Sequence, residues 1–314
     1  MEAVTWTYLA VIFLTMTTCV CGIAGNSTVV WLLSCRLRRT PFSMYVLNLA
    51  AADLLFLLCM ACIVSLETQP MPDLDIANDR SKTFSLLAKA YEVTIRVKYF
   101  AYTTGLSLLT AISTQRCVSV LYPLWYKCHR PQHLSTVVST LLWTLCFTVS
   151  MLSSYFCTTF SHSNKQHCFR VDVAISTLIM GVFTPMMAIS SITLFVQVRK
   201  SNLLLRRRRR QPRRLYMVIL ASVFVFLVCS LPLGIYWFVL YWTSLEWKVK
   251  LLWLGLSRFF SSVSSSANPV IYFLVGRERH QKQESMRAVL DRALQEEPEL
   301  EERETPSTGT QEGI

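Results

Sequence analysis

The sequence predicts an all-α membrane protein, a bundle of seven transmembrane helices followed by a short amphipathic helix. Three observations predict this fold class. The 314-residue chain is 53% hydrophobic and only 16% charged, whereas soluble domains carry about 25% charged residues. Its apolar residues cluster in runs of about 20, the length that crosses the hydrocarbon core as a helix. Basic residues are concentrated in alternate connections between these runs, which is the positive-inside pattern.

Seven apolar runs follow one another along the chain. In lipid every backbone polar group must be hydrogen-bonded within its own segment, so each run is predicted to be a helix. The runs lie at about 7–34, 42–66, 95–121, 134–156, 171–198, 215–242 and 251–275. The alternative, buried helices of a large soluble protein, is disfavoured because the chain has no charged amphipathic helices to cover them. Residues 1–275 therefore form the predicted membrane domain.

The distribution of Lys and Arg predicts the orientation of this domain. With the N-terminus outside the cell, the three inner loops carry basic residues and no Asp or Glu. These residues are Arg36, Arg38, Arg39, Lys127, Arg130, Arg199, Lys200, Arg206–Arg210, Arg213 and Arg214. The net charge of +12 thus indicates membrane topology and attraction to the anionic inner leaflet, rather than nucleic-acid binding. We expect an extracellular N-terminus and a cytoplasmic C-terminus.

The chain changes character after the seventh run. Residues 276–294 place Val289, Leu290 and Leu294 at helical spacing among charged residues. This pattern predicts an amphipathic helix on the membrane surface. Residues 295–314 are acidic and contain proline, which predicts a disordered cytoplasmic tail.

Polar side chains inside the apolar runs are candidate functional residues, because such groups are costly in hydrocarbon. The polar residues are Asn26, Asp53, Arg116 and Asn268. Prolines also interrupt three runs, at Pro185, Pro232 and Pro269. A proline removes a helical hydrogen bond and kinks the helix. Kinked helices with buried polar groups suggest a bundle that can adopt two packings.

No sequence pattern points to an enzyme, a cofactor or a dedicated metal centre. The chain has no metal-type Cys/His spacing, no glycine-rich phosphate loop and no GxSxG motif. Asp53, Ser264, Ser265 and Asn268 offer oxygen atoms that could hold sodium, but Gly105 supplies none from the third run. We favour Asp53 as a polar hinge in a water network between the second and seventh helices.

The motifs of the chain resemble those of rhodopsin-like G-protein-coupled receptors. The matching motifs are Gly25-Asn26, LAAAD ending at Asp53, Trp143, Pro185, FLVCSLP ending at Pro232, and NPVIY at Asn268–Tyr272. The resemblance implies that Arg116 faces a cytoplasmic cavity and contacts the inserted C-terminal helix of a Gα subunit on activation. The alternative is an arginine that snorkels to the membrane interface.

Several motif residues differ from the general rhodopsin-like pattern, and these differences indicate a subfamily. Gln115 replaces the acidic residue before Arg116, Cys117 replaces the aromatic residue after it, and no tryptophan precedes Pro232. Tyr91 lies where the outer end of the third helix has its usual cysteine. This set, with the runs LNLAAADLLFL and SSSANPVIYFLVG, is similar to the Mas-related receptors. Because Gln115 is neutral and cannot form the usual ionic latch on Arg116, we expect appreciable basal activity.

Two of the eleven cysteines, Cys157 and Cys168, flank a polar stretch predicted to lie outside the membrane. That compartment is oxidising, so a disulfide is plausible there. The resemblance implies a bond between these two residues, which would join the fourth and fifth helices.

Charged residues at the outer ends of the runs suggest a ligand site. Arg96 and Lys98 lie near the outer end of the third run, and Asp172 begins the fifth. A guanidinium matches a carboxylate as a bidentate fork, and Asp172 could meet an ammonium, so a small zwitterion fits. The resemblance implies β-alanine or a similar short ω-amino acid, held by Arg96 and Asp172, with Trp237 walling the site and Tyr241 one turn outward. Alternatively, Arg96 pairs with Asp172 or snorkels, and the two aromatics belong to an interface belt.

The resemblance also implies the partners of the protein. It implies coupling to Gq, with some Gi, in nociceptive or itch-sensing neurons. The ligand would shift the population between two packings, with repacking near Pro185, Leu106 and Phe226, and with Arg116 and Tyr272 lining the G-protein cavity. The segment Thr305–Thr310 would bind arrestin once phosphorylated, with solvated filler as the alternative.

Three other functions are alternatives to a receptor for a small zwitterion. A transporter is disfavoured because the seven runs show no inverted repeat. A Mas-related receptor for a basic peptide would show an acidic cavity, whereas Arg96, Lys98 and Arg170 make this one positive. A non-signalling scaffold remains the third alternative, given the altered motifs around Arg116 and Pro232.

Overall fold

The protein is described here from a computed structural model. The structure describes residues 2–36, 40–68, 77–129, 131, 133–157, 174, 179–204, 212–231, 246–277 and 285–294. Within these ranges the chain is all-α. The helices are α1 (Glu2–Cys35), α2 (Pro41–Thr68), α3 (Ala77–Leu121), α4 (Pro123–Cys128), α5 (Leu134–Cys157), α6 (Thr184–Leu204), α7 (Pro212–Val225), α8 (Trp247–Gly276) and α9 (Met286–Leu294). A π-helical turn, Ile179–Phe183, leads into α6, and another, Phe226–Ser230, extends α7.

Three of the described helices are long and apolar enough to cross a membrane: Trp6–Cys35, Pro41–Thr68 and Leu134–Tyr155. Two further apolar stretches, Gly181–Gln197 and Tyr216–Ser230, are shorter. α1 and α5 carry large exposed apolar side chains, among them Trp6, Phe13, Leu141 and Met151. Exposed apolar patches of this kind on a helical protein are typical of contact with lipid.

The core lies where α1, α2, α3 and α8 meet. α1 packs on α2 and α8, α3 packs on α2, α5 and α6, and α8 also contacts α7. The core of α2 is built from Ala52, Phe56, Leu57 and Met60, and that of α3 from Leu106, Leu108 and Leu109. This packing places the polar residues of α2 and α8 opposite each other.

α3 is much longer than the third predicted run. It begins at Ala77, whereas the apolar pattern predicted a helix from residue 95 and a long outer loop over 70–94. Residues 77–94 include three Ala, two Leu and two Lys residues, which favour a helix in water as well as in lipid. The end of an apolar run marks a membrane boundary rather than a helix end, so the helix continues beyond it. Residues 70–76, the rest of the predicted outer loop, lie outside the described ranges.

The two π turns coincide with predicted kinks. One π turn ends directly before α6, of which Pro185 is the second residue. Proline removes a backbone N–H and clashes with the carbonyl four residues earlier, and an inserted π turn relieves that clash. The other π turn, Phe226–Ser230, ends two residues before Pro232, which itself lies outside the described residues.

α9 differs from the helix predicted at the membrane surface. The described helix covers Met286–Leu294, and residues 278–284 lie outside the described ranges. Its apolar residues Val289, Leu290 and Leu294 are buried against the protein. Amphipathic spacing alone does not specify whether the apolar face meets lipid or protein, and here it meets the N-terminal part of α7 and the C-terminal part of α8.

α1 and α8 approach each other closely at Gly22. A Cβ added there would overlap Ser266 Oγ and lie 2.7 Å from Leu57 Cδ1. Ser266 Oγ donates to the Thr18 carbonyl at 2.9 Å, and Asn26 Nδ2 donates to the Ser265 carbonyl at 3.1 Å. Only glycine permits this contact, and the hydrogen bonds fix the two helices in register.

We predict that Gly22→Ala destabilises the protein and Gly255→Ala does not. At Gly22 the added methyl group overpacks the helix contact, which typically costs roughly 1–3 kcal/mol. At Gly255 the nearest atom lies 3.4 Å from an added Cβ, which is ordinary contact distance, and alanine is the better helix former. The apparent melting temperature of the detergent-solubilised protein should fall for Gly22→Ala alone. Equal melting temperatures for the two variants would contradict this packing.

Candidate functional site

The outer half of α3 carries two basic side chains that contact different neighbours. Arg96 is half-buried and its Nη1 donates to Ser153 Oγ of α5 at 3.3 Å. Lys98 is only 2% exposed, and its Nζ lies 4.2 Å from the centroid of the Tyr99 ring. Residues two apart on a helix face different directions, so the two cations do not converge on one point.

An ion pair with one buried partner lies beside Lys98, between the C-terminal end of α2 and the N-terminal half of α8. Arg258 Nη1 and Nη2 donate to Glu67 Oε2 and Oε1 at 2.6 and 2.9 Å. Tyr91 of α3 donates its hydroxyl to Glu67 Oε1 at 2.6 Å, and Tyr8 of α1 lies beside Glu67. Arg258 is 5% exposed. The Glu67 carboxylate of α2 is therefore surrounded by side chains of α1, α3 and α8.

Arg258 was not predicted as a site residue, although the sequence contained an indication of its role. It is the only charged residue within the apolar run 251–275, and a charge within such a run indicates a site by default. Its partner Glu67 could not be singled out, since it follows the second run among several other outer acidic residues. Pairing between helices far apart in sequence depends on the tertiary packing.

A second polar contact joins α2 and α8 near mid-membrane. Asn268 Nδ2 donates to Asp53 Oδ2 at 2.7 Å, and Ser265 also hydrogen-bonds Asp53. The structure thus brings together the two polar residues that the sequence singled out in the second and seventh runs. Pro269, inside α8, packs beside Gly25, where an added Cβ would lie 3.1 Å from the proline ring.

A small cavity of about 10 Å³, the space of roughly one water molecule, adjoins Asp53 and Asn268. Its lining includes Gly105 of α3, and an added Cβ there would lie 4.0 Å from Asp53 Oδ1. The remaining polar lining residues include Ser264 and Ser265. Among the described residues, no group of three or more His, Cys, Asp or Glu side chains could hold a metal ion. The cavity suits water more than a tightly coordinated metal.

Tyr102 connects α3 to the π turn at the end of α7. Its hydroxyl donates to the Ser230 carbonyl at 3.1 Å, and its ring stacks on Phe226 with centroids 6.0 Å apart. Leu106, one turn further along α3, is fully buried. A π turn leaves some carbonyl groups without a regular helical donor, and the Tyr102 hydroxyl fills this role at Ser230. The sequence did not identify Tyr102.

The predicted signalling residues at the inner end are packed against the protein. Arg116 is 6% exposed and its guanidinium carbon lies 4.6 Å above the Phe42 ring of α2. Gln115 Nε2 donates to Tyr126 Oη of α4 at 2.8 Å. Tyr272 is buried. Neither Arg116 nor Tyr272 therefore projects into solvent.

Several predicted site residues lie outside the described part of the chain. They are Cys168, Asp172, Pro232, Trp237, Tyr241 and the segment Thr305–Thr310. Cys157 is the last residue of α5, and its side chain is not described.

Comparison with known proteins places these features in a family. Residues 25–272 match the family model for the 7 transmembrane receptor (rhodopsin family). The chain is 59% identical to the mouse (Mus musculus) Mas-related G-protein coupled receptor member D over all of this chain and 94% of that protein. It is 57% identical to the Homo sapiens member D over 97% of this chain and 91% of that protein. The Homo sapiens member X1 is 40% identical over 94% of this chain and 87% of that protein.

We predict strong coupling between Glu67 and Arg258 in a double-mutant cycle. Removing one partner of a fully buried pair costs about 3–5 kcal/mol, and the cost here is smaller because solvent screens the partly exposed Glu67. Glu67→Met and Arg258→Met should each lower the melting temperature of the solubilised protein. The double variant should recover much of the loss, since neither charge then remains. A double variant whose loss equals the sum of the two single losses would show that the pair is not coupled.

Proposed function

We propose that the ligand of this protein is a small zwitterionic amino acid such as β-alanine. The chain belongs to the rhodopsin family of seven-transmembrane receptors and, within it, to the Mas-related G-protein-coupled receptors. The family is one of membrane receptors and not of enzymes, and its members act through a ligand and a G protein. For this chain we propose Gq, with some Gi, as the partner, and nociceptive or itch-sensing neurons as the site of action.

The proposed architecture is a plasma-membrane bundle of seven crossings formed by α1, α2, α3, α5, α6, α7 and α8. Residues 1–275 form the bundle, 276–294 the segment that ends with α9, and 295–314 a cytoplasmic tail. The basic loops support an extracellular N-terminus and a cytoplasmic C-terminus. A disulfide between Cys157 and Cys168 would join the outer ends of the fourth and fifth crossings.

The observation that carries the ligand proposal is the position of Arg96. Its guanidinium lies between α3 and α5, where Ser153 holds it, and Asp172 begins the fifth crossing in the sequence. An arginine fork and a carboxylate on facing helices complement the two charges of a short zwitterion. Trp237 and Tyr241 would close the site from the sixth crossing. Lys98 lies on the side of Glu67 and Arg258, so we assign the ligand carboxylate to Arg96.

The proposed mechanism links this site to the cytoplasm through α3. Arg96 and Arg116 are twenty residues apart, hence about 30 Å along one helix. Ligand binding would favour a packing in which α3, α6 and α7 shift together. Tyr102, Phe226 and the π turn before Pro185 are the contacts that would change. Arg116 and Tyr272 would then be uncovered for the G protein.

A peptide ligand is the second candidate, because other Mas-related receptors share the fold at lower identity, 40% for member X1. The positive outer residues Arg96, Lys98 and Arg170 disfavour a basic peptide. Arrestin binding through the phosphorylated segment Thr305–Thr310 would follow activation.

We predict calcium release in cells that express this chain when millimolar β-alanine is added. Arg96→Ala and Asp172→Ala should each raise the half-maximal concentration by at least roughly tenfold, since hydrogen bonds to charged groups contribute roughly 1.5–3 kcal/mol. Lys248→Ala, which removes an exposed positive charge at the outer end of α8, is the matched control and should respond like the parent. Surface expression of all four proteins is measured in parallel.

Two outcomes would contradict this assignment. A parent that reaches the surface but gives no response in calcium or in Gi assays would exclude β-alanine as the ligand. An unchanged dose response in Arg96→Ala and Asp172→Ala would place the ligand elsewhere.

A further inference from the structure

α9 is docked on the protein by its apolar face. Val289, Leu290, Ala293 and Leu294 follow one another at helical spacing, and each is less than 10% exposed, Leu290 being 0% exposed. The opposite face is open, and Met286 is 59% exposed. A helix that rests on a membrane directs its apolar face towards lipid. Here protein atoms alone cover that face.

The docking surface is formed by the inner ends of α7 and α8, both of which α9 contacts. Leu290 and Leu294 belong to the same continuous core as Val218 and Ile219 of α7 and Tyr272 of α8. α9 therefore binds across two helices and not along one.

The end of α8 is shaped to receive α9. A Cβ at Gly276 would overlap the Val289 carbonyl oxygen and lie 3.0 Å from Val289 Cγ1. Arg292 Nη1 donates to the Gly276 carbonyl at 3.3 Å, which occupies an acceptor that the last turn of a helix leaves free. The close approach and this hydrogen bond fix the position of α9 against α8.

We propose that α9 is an autoinhibitory segment: it occupies the inner groove between α7 and α8 and must leave before a Gα helix can enter. This inference rests on the proposed orientation and G-protein coupling. Opening of the inner face requires the inner end of α7 to separate from α8, and a helix bound to both opposes that separation. An amphipathic Gα helix and α9 then compete for one apolar surface.

The sequence around Arg116 supplies a reason for this arrangement. Gln115 is neutral and is engaged with Tyr126, so it provides no ionic latch on Arg116. α9 restrains the inner face from the opposite side, through apolar contact with α7 and α8. Basal activity then depends on how often α9 undocks.

The test compares Leu290→Asp with Met286→Asp in the purified full chain, reconstituted with heterotrimeric Gq and without ligand. Both variants add the same charge to α9, but only Leu290 is buried in the groove. We expect basal nucleotide exchange to rise roughly tenfold in Leu290→Asp, since burial of one leucine biases a two-state equilibrium by at least that factor. Met286→Asp should match the parent. Equal exchange rates in the two variants would overturn the proposal.

A peptide comprising residues 285–294 provides a second arm, and its effect in the Leu290→Asp variant also shows whether that variant is folded. Added to the Leu290→Asp receptor, the peptide should lower exchange towards the parental rate, and the same peptide with Leu290→Asp should not. No effect of either peptide, in micelles and in nanodiscs alike, would show that the groove does not bind α9 in an inhibitory way.

Hydrogen exchange of residues 287–294 tests docking without any G protein. Their amides should be protected in the parent and in Met286→Asp and should exchange rapidly in Leu290→Asp. Rapid exchange in the parent would overturn docking itself. The parent could instead be protected while no variant supports nucleotide exchange, even with β-alanine present. That result would contradict the proposed coupling to Gq and leave docking supported.

Discussion

The structure depends on two polar contacts that tie α2 to α8. Asp53 meets Asn268 near the middle of the helix pair, and Glu67 meets Arg258 nearer one end of it. Asp53 and Glu67 are 14 residues apart and Arg258 and Asn268 are 10 apart, so the two contacts lie at different heights along the helix pair. Because an unpaired polar group is costly in hydrocarbon, the two contacts fix the register of α8 against α2. Other packing contacts of the core form around this frame.

α3 contacts helices on both sides of the bundle. α3 contacts α5 through Arg96 and Ser153, the π turn of α7 through Tyr102, and α2 through Arg116 and Phe42. The α2–α8 side is tied by charge-assisted hydrogen bonds, whereas α6 and α7 contain π turns and prolines. The mobile half of the bundle is therefore expected to be the half formed by α6 and α7. α9 contacts that half at its inner end, where its docking sets the resting packing.

The apolar runs of the sequence predicted the helices themselves. They did not predict which helices pack against each other. α1, α2, α5 and α8 begin and end within a few residues of their predicted bounds, because membrane thickness fixes the length of such helices. Asp53 and Asn268 could be singled out since polar residues in apolar runs are rare. The N-terminal half of α3 was missed because its helix extends beyond the apolar run. The pairing of Glu67 with Arg258, the Tyr102 bond to Ser230 and the docking of α9 all depend on which helices become neighbours, which periodicity does not specify.

The central claim is that the outer site recognises both charges of one small molecule. The most direct measurement compares calcium responses to β-alanine, propionate and 1-aminopropane in cells that express this chain. These three molecules have similar size, but only β-alanine carries both a carboxylate and an ammonium group. Recognition by Arg96 and Asp172 together predicts a response to β-alanine and none to the two singly charged molecules at the same concentration. An equal response to propionate would contradict the zwitterion site and leave a simple anion receptor.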